Sequence, residues 1–413
     1  MLSVLEARES ILSRVKPLGP ERVPVLDAMG RITAETIPTR RLQPPWDNSA
    51  MDGYALRAAD VVDASDERPV CLEVIEDVMA GSVPRREVGQ GQATRIMTGA
   101  PIPRGADAVV RVEKTRSPGP DRVEVMTAVP IGNDIRRAGE DHRPGDVLVE
   151  AGREIRPAEV GLISAAPRTW IKTIRPPTVA ILSTGDELTE PDQAPGPGQI
   201  VNTNVYALAA MVKESGGHAR ILPIAGDTRE ATAALFEAAR GADVILSSGG
   251  VSVGAHDFVK EVLEDLGVKM AFWKVKMTPG KPLAFGLWDK APVFGLPGNP
   301  VSSMVSFELF VRPALLKMAG HTRIYRRAIR ARLEEDTRKR PAMVHFIRVK
   351  LRQIDGIWHA RSTGPQGSGI LRSMSLADGL AVGLEGLDVM PAGDDVWVLP
   401  LDARFGTSDE RPV

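Results

Sequence analysis

The chain has 413 residues with 52 Lys and Arg against 53 Asp and Glu, a formal net charge of −1, so a nucleic-acid surface is not expected. Its length exceeds one ordinary core and implies several domains, while the single cysteine, Cys71, rules out an intramolecular disulfide and a multi-cysteine metal site. The N-terminal "MLSVLEARESILSRV" carries charges throughout and no apolar run reaches about 18 residues, so neither a signal peptide nor a membrane span is expected, and a cytoplasmic protein fits.

Ser3 and Glu6 have capping-box spacing ahead of an amphipathic helix that Pro17 stops. From about 20 to 150 the segments are short and alternating. "CLEVIEDVM", "ATRIM", "ADAVVRVE" and "DRVEVMTAV" are divided by turns such as "SPGPD", the pattern of a small β unit. "RPAEVGLISAA" at 156–166 predicts a helix with Pro157 in its first turn.

Between about 175 and 320 the rhythm changes. "TVAILS", "ARILPI", "ADVILSS", "KMAFWKV" and "PVFGL" read as strands, and 202–215, 228–240, 256–266 and 300–318 have helical spacing. Such alternation predicts a mostly parallel sheet covered on both faces. After about 322, "RAIRARLEE", "VHFIRVKLRQ", "GIWHARST" and "DDVWVLPL" predict a separate small β domain.

In an open parallel sheet, ligands bind outside the carboxyl ends of the strands. The loops leaving those ends here are rich in glycine, hydroxyls and acids. They hold Thr184, Gly185, Asp186 and Glu187 after the first strand, and Asp227 after the second. "SSGGVSVGAHD" at 247–257, with Ser248, Gly249, Gly250, Ser252, Gly254 and Asp257, follows the third. "LPGNPVS", with Pro297, Gly298, Asn299 and Ser302, follows the last. Glycine lets backbone N–H groups approach an oxyanion, and a following helix N-terminus favours its charge. Glu187, Asp227 and Asp257 beside such an anion make sense if a hard cation such as Mg²⁺ lies between them. The alternative is that each glycine shapes a turn and each acid caps a helix, as Asp227 is placed to do. The glycine offsets fit neither a Walker motif nor a dinucleotide fingerprint.

Lys281 in "MTPGKPLAFG" lies in a proline-bounded turn that could aim it at an anion, or simply at solvent. Arg348 in "FIRVK" and Ser368 in "GPQGSG" carry no signal alone. In the N-terminal β unit, "PPWDNSAMDGYAL", "RIMTGAPIPRGAD" and "RRAGEDHRPGD" are polar loops of the kind that serve binding, although Asp52 and Asp141 could equally stabilise turns.

Taken in order, "PPWDNSAMDGYAL", "RIMTGAPIPRGADAVV", "IRRAGED", "ILSTGDEL", "SSGGVSVGAHDF", "PGKPLAFG" and "GLPGNPVSS" resemble the molybdopterin molybdenumtransferase family, which includes the MoeA proteins and the E domain of gephyrin. The resemblance covers nearly the whole chain. It implies a multidomain α/β plus β protein with a central, mostly parallel molybdopterin-binding domain between an N-terminal β-rich domain and a small C-terminal β domain. The expected division is 1–25 with 142–172, then 26–141, 173–322 and 323–413.

The implied activity is insertion of molybdenum from molybdate into adenylylated molybdopterin, with Mg²⁺ required and AMP released. The implied assembly is a homodimer with a shared active site, fed by a molybdopterin adenylyltransferase. Asp52, Thr98 and Asp141 would come from the partner chain, and Glu187, Asp227 and Asp257 would handle metal, pterin or phosphates. Lys281, Ser302, Arg348 and Ser368 would line a molybdate pocket, and the 247–257 turn would cradle phosphate. A gephyrin-like scaffold, or a hydrolase built on the same pterin-binding domain, are the alternatives. The family usually carries a basic residue before "PGKP", where this chain has Thr278; Lys276, two residues earlier on an expected strand, is placed to compensate.

Overall fold

A computed structural model of the chain describes residues 1–249 and 258–402. It begins with α1 (Val4–Leu12), whose Ser3 hydroxyl accepts from the Glu6 amide while the Glu6 carboxylate accepts from the Ser3 amide, so both halves of the capping box form. Contacts divide the protein into two compact units. One comprises Val23–Met29 and Glu35–Ile171, the other Met1–Arg22, Gly30–Ala34 and the chain from Lys172 onward.

The first unit is built on a six-stranded sheet of β1 (Gly53–Leu56), β2 (Val70–Val78), β3 (Gln92–Ile96), β4 (Ala108–Arg111), β5 (Thr115–Gly119) and β6 (Arg122–Val125). The spatial order is β4-β1-β3-β2-β6-β5. Leu56, Ala93, Ala108, Val110, Val123 and Val125 form its core. "SPGPD", expected as a turn throughout, is strand as far as Gly119. β5 lies at the sheet edge, where Pro118 removes no ladder hydrogen bond the sheet needs. The predicted helix follows as α2 (Pro157–Ala165), with proline in its first turn.

The second unit holds the α/β sheet. Its strands are β7 (Thr178–Ser183), β8 (His218–Ile221), β9 (Val244–Ser248), β10 (Lys269–Lys274), β12 (Pro282–Trp288) and β13 (Ala291–Leu296), with the short β11 (Met277–Thr278) leaving it. The order β8-β7-β9-β13-β12-β10 has its first four strands parallel, and β12 alone runs against its neighbours. β12 is not among the expected strands: its sequence opens on a proline and carries Gly286 inside, both local turn signals. Both faces are covered, as the near-continuous apolar strands require. Val179 and Ile181 join one core with α1, α3 (Thr203–Glu214), α6 (Pro300–Ser306) and α7 (Arg312–Met318), whereas Ala180 and Leu182 face the other with α4 (Arg229–Ala238) and α5 (Val259–Asp265). Between α6 and α7 the helix widens into a π turn over Phe307–Val311, just before Pro313, which has no N–H for the regular ladder.

The C-terminal β domain is a closed barrel of β14 (Ile329–Leu333), β15 (Val344–Ile354), β16 (Ile357–Ser362), β17 (Gly379–Gly383) and β18 (Asp395–Pro400). Closure comes from β15 pairing with both β16 and β17. β11 adds to β15 in parallel, so chain leaving the α/β sheet becomes a barrel strand. Phe346 and Leu380 of the barrel belong to the same apolar core as the α/β sheet.

Candidate functional site

The junction of sheet and barrel forms a half-open cavity of about 410 Å³. Lys281, Asn299, Ser302, Arg348 and Ser368 all line it, together with Thr278, Arg340, Met343, His345 and Gln366. Lys281 arrives at the start of β12. Gly280 before it has φ +105°, and a Cβ there would strike Met277 and Ser306, so only glycine permits that turn. Asn299 and Ser302 come from the start of α6, and the Ser368 carbonyl accepts from the Val301 amide at 3.0 Å, tying the barrel loop to that helix.

Arg348, on β15, is 1% exposed and is the largest fully buried side chain among the described residues. Its Nε donates to Ser373 Oγ and its Nη2 to the Gly367 carbonyl, both at 3.1 Å. Gln366 braces its backbone, accepting from the Arg348 amide at 2.9 Å and donating to its carbonyl at 3.1 Å. No carboxylate among the described residues pairs with this guanidinium. Burial pushes its pKa down to about 10, which still leaves it charged at neutral pH. A buried cation held only by neutral acceptors favours an anion in the cavity it faces.

A second group lies at the carboxyl ends of the parallel strands. Ser183 is in register with Ser248, and Ser248 with Leu296, so the three following loops start side by side. Thr184 bridges Ala225, and the Gly185 amide donates to the Ala225 carbonyl at 3.1 Å, which brings the Asp227 loop alongside. Asp186 and Asp227 then exchange backbone-to-carboxylate hydrogen bonds of 3.4 and 3.2 Å. Gly185, at φ +147°, leaves the space the Glu187 carboxylate fills. The cap of α4 is Thr228, whose hydroxyl accepts from the Ala231 amide at 3.1 Å, so Asp227 is not the capping residue its position suggested. Across the same edge, Asn204 donates to Ser248 Oγ at 2.9 Å and to the Gly298 carbonyl at 2.7 Å, while the Gly249 amide donates to the Leu296 carbonyl at 3.0 Å, beside Pro297. Gly250, Ser252, Gly254 and Asp257 lie outside the described residues. Among the described residues no set of three or more His, Cys, Asp or Glu side chains is arranged to hold a metal.

In the first unit, Asp52 accepts from the Thr98 amide at 2.7 Å and from its hydroxyl at 2.8 Å. Those bonds, the amide first, hold the Asp52 carboxyl below its usual range. The Asp141 amide donates to the Gln43 carbonyl at 3.0 Å, and its carboxylate lies 3.3 Å from His142 Nδ1. Among the described residues no hydrogen bond joins Asp141 to the Asp52–Thr98 pair.

Three family models cover the chain in order. "MoeA N-terminal region (domain I and II)" matches residues 2–166, "Probable molybdopterin binding domain" 180–317, and "MoeA C-terminal region (domain IV)" 330–401. A molybdopterin molybdenumtransferase of Nostoc sp. is 37% identical over 97% of this chain and 94% of its own length. That of Bacillus subtilis is 34% identical over 94% of this chain and 91% of its own. The chain belongs to the molybdopterin molybdenumtransferase family. It is an enzyme of molybdenum cofactor biosynthesis. A solved structure of a molybdopterin biosynthesis MoeA protein from Pyrococcus horikoshii superposes with a TM-score of 0.80 at 32% identity, covering 96% of this chain and 99% of that one. The expected fold, an α/β pterin-binding domain flanked by β-rich domains, is the fold found. No helix among the described residues is long and apolar enough to cross a membrane.

Lys276 does not share the face of Thr278 that one continuous strand would give it. β10 ends at Lys274, the chain bends at Lys276, and β11 belongs to the barrel. Thr278 lines the cavity but Lys276 does not; it is exposed. The cation found instead is Arg340, in a barrel connection whose sequence has no motif. Asn204, Gln366 and Ser373 likewise carry no sequence signal, because single polar residues acquire such contacts only when distant segments meet.

Proposed function

We propose that this enzyme inserts molybdenum from molybdate into adenylylated molybdopterin, releasing AMP in a Mg²⁺-dependent reaction. The observation that supports it most directly is the buried Arg348, uncompensated by any described carboxylate and sharing one cavity with Lys281, Ser302 and Ser368. Molybdate is a compact tetrahedral dianion. Two cations and two hydroxyl groups lining one cavity suit its charge and its four oxygens. Thr184, Gly185, Ser248, Gly249, Gly298 and Asn299, with Gly250, Ser252 and Gly254, would accommodate the pterin and its phosphates.

The donor chemistry at the strand ends fits Mg²⁺, which binds through one or two carboxylates plus substrate phosphates rather than through an all-protein cage. Glu187 and Asp227 would hold it, and Asp257 is a further candidate. When bound, the ion would neutralise phosphate charge. The protein's own part is to orient the substrate phosphates and to keep molybdate desolvated against Arg348 and Lys281. We further propose a cytoplasmic homodimer in which Asp52, Thr98 and Asp141 of the partner subunit complete the site, and delivery of substrate by a molybdopterin adenylyltransferase.

The test is to incubate purified protein with adenylylated molybdopterin and follow AMP, with molybdate and Mg²⁺ each present or omitted. The proposal expects release that needs both. Release independent of molybdate would indicate a hydrolase, and no release in any condition would favour a scaffold.

A further inference from the structure

The same cavity has a third cation at its wall, on a segment that no binding motif marks. Arg340 lies in the connection between Thr337–Arg338 and β15. That connection is pinned by backbone bonds. The Lys339 amide donates to the Asp388 carbonyl and the Gly386 amide to the Pro341 carbonyl, each at 2.8 Å. The Arg340 amide donates to His345 Nε2 at 3.0 Å. An imidazole that accepts at Nε2 carries its proton on Nδ1. Burial, followed by the charges of Lys339 and Arg340, pushes the His345 pKa down and keeps that acceptor available at neutral pH.

Arg340 is exposed and forms no ion pair among the described residues. The cavity it lines includes no carboxylate. Lys339, just before it, is buried with its amine unpartnered, but it lies outside the cavity lining and near Asp388 and Glu385, so Arg340 is the cation this segment presents to the cavity. Thr278 on the same wall offers only a neutral hydroxyl. A free guanidinium facing a carboxylate-free cavity that already holds Lys281 and Arg348 has one evident use.

We propose that Arg340 is a further oxyanion-binding residue of this cavity, contacting molybdate, and that His345 is the positioning residue that holds it there. This rests on the cavity being the molybdate site. The experiment is isothermal titration of molybdate into the full-length protein without the pterin substrate, comparing parent, Lys281→Ala, Arg340→Ala and Arg340→Lys. Arg340→Ala should weaken binding about tenfold, the effect of losing one charge-assisted hydrogen bond, and Arg340→Lys should recover part of it. Because the side chain is exposed, the unfolding temperature should not change. His345→Phe should weaken molybdate similarly, and His345→Gln, whose amide oxygen can accept from the Arg340 amide, should restore it. If Lys281→Ala loses molybdate but Arg340→Ala binds as the parent does, Arg340 is excluded and the cavity reading stands. If neither variant changes binding, both fall. Parent-like binding by His345→Phe removes the positioning role.

Discussion

Arg348 Nε donates to Ser373 Oγ at 3.1 Å, and the Ser373 hydroxyl spends its own hydrogen on the Ile370 carbonyl at 2.6 Å. Serine is thereby locked as an acceptor toward the guanidinium. The bond positions Arg348 without neutralising it, which is what an anion site requires of a buried cation. Arg348→Met should therefore separate stability from function. Removing the buried charge relieves its desolvation but leaves the Ser373 hydroxyl and the Gly367 carbonyl without their donor, so stability should change by no more than about 1–3 kcal/mol. Molybdate binding should fall by about 10–100-fold. Thermal melts and molybdate titration check the two halves, and a variant that binds molybdate normally contradicts the assignment.

The reciprocal bonds between Asp186 and Asp227 are long, 3.2 and 3.4 Å, so their structural contribution is small. Asp227→Ala should cost under about 1 kcal/mol of stability yet abolish Mg²⁺-dependent AMP release. Asp227→Asn keeps the acceptor and removes the charge, and it should be as inactive as alanine. Normal turnover by the asparagine variant would mean that the residue only shapes its loop.

A shared site predicts complementation. Asp52→Ala and Asp227→Ala chains, each inactive alone, should regain part of the activity when mixed, because a hybrid dimer would hold one intact site. Exchange is monitored with labelled subunits. Demonstrated exchange with no recovered activity would place the whole site within one chain.

Glu159 gives a pH signature away from the site. Its carboxylate bonds Arg156 at 2.8 Å and Arg153 at 3.1 Å, and these partners, Arg156 first, lower its pKa to about 2. A depressed carboxylate pKa contributes stability that is complete above the ordinary value near 4.5 and is lost as pH falls through about 2. Both arginines are more than half exposed, at 54% and 57%, so solvent screening reduces the effect. Glu159→Gln should lose about 1–3 kcal/mol at pH 7, with the difference from the parent shrinking between pH 4.5 and 2. Denaturant titrations across that range measure it.

Lys276→Ala should require no more molybdate for half-maximal rate than the parent enzyme, since its side chain is outside the cavity. A clear rise in that requirement would return Lys276 to the site.

Local pattern by itself determined much of the architecture. The Ser3–Glu6 cap, the apolar runs 178–183 and 244–248, and the intervening helices depend on neighbours a few residues apart, where propensity and periodicity act. Parallel strands also made the grouping of the Thr184, Asp227, Ser248 and Gly298 loops legible, because every such strand must end at the same edge. The strand 282–288 escaped because its proline and glycine are turn signals locally, and it is a strand only through pairing with 291–296. The cavity belongs wholly to tertiary structure. Lys281, Ser302, Arg340, Arg348 and Ser368 come from separate segments, and nothing in "FIRVK" distinguishes a buried guanidinium from an exposed one. Only the barrel closing against the α/β sheet buries Arg348 away from any described carboxylate, and that placement, not the residue type, sets this arginine apart from an ordinary exposed one.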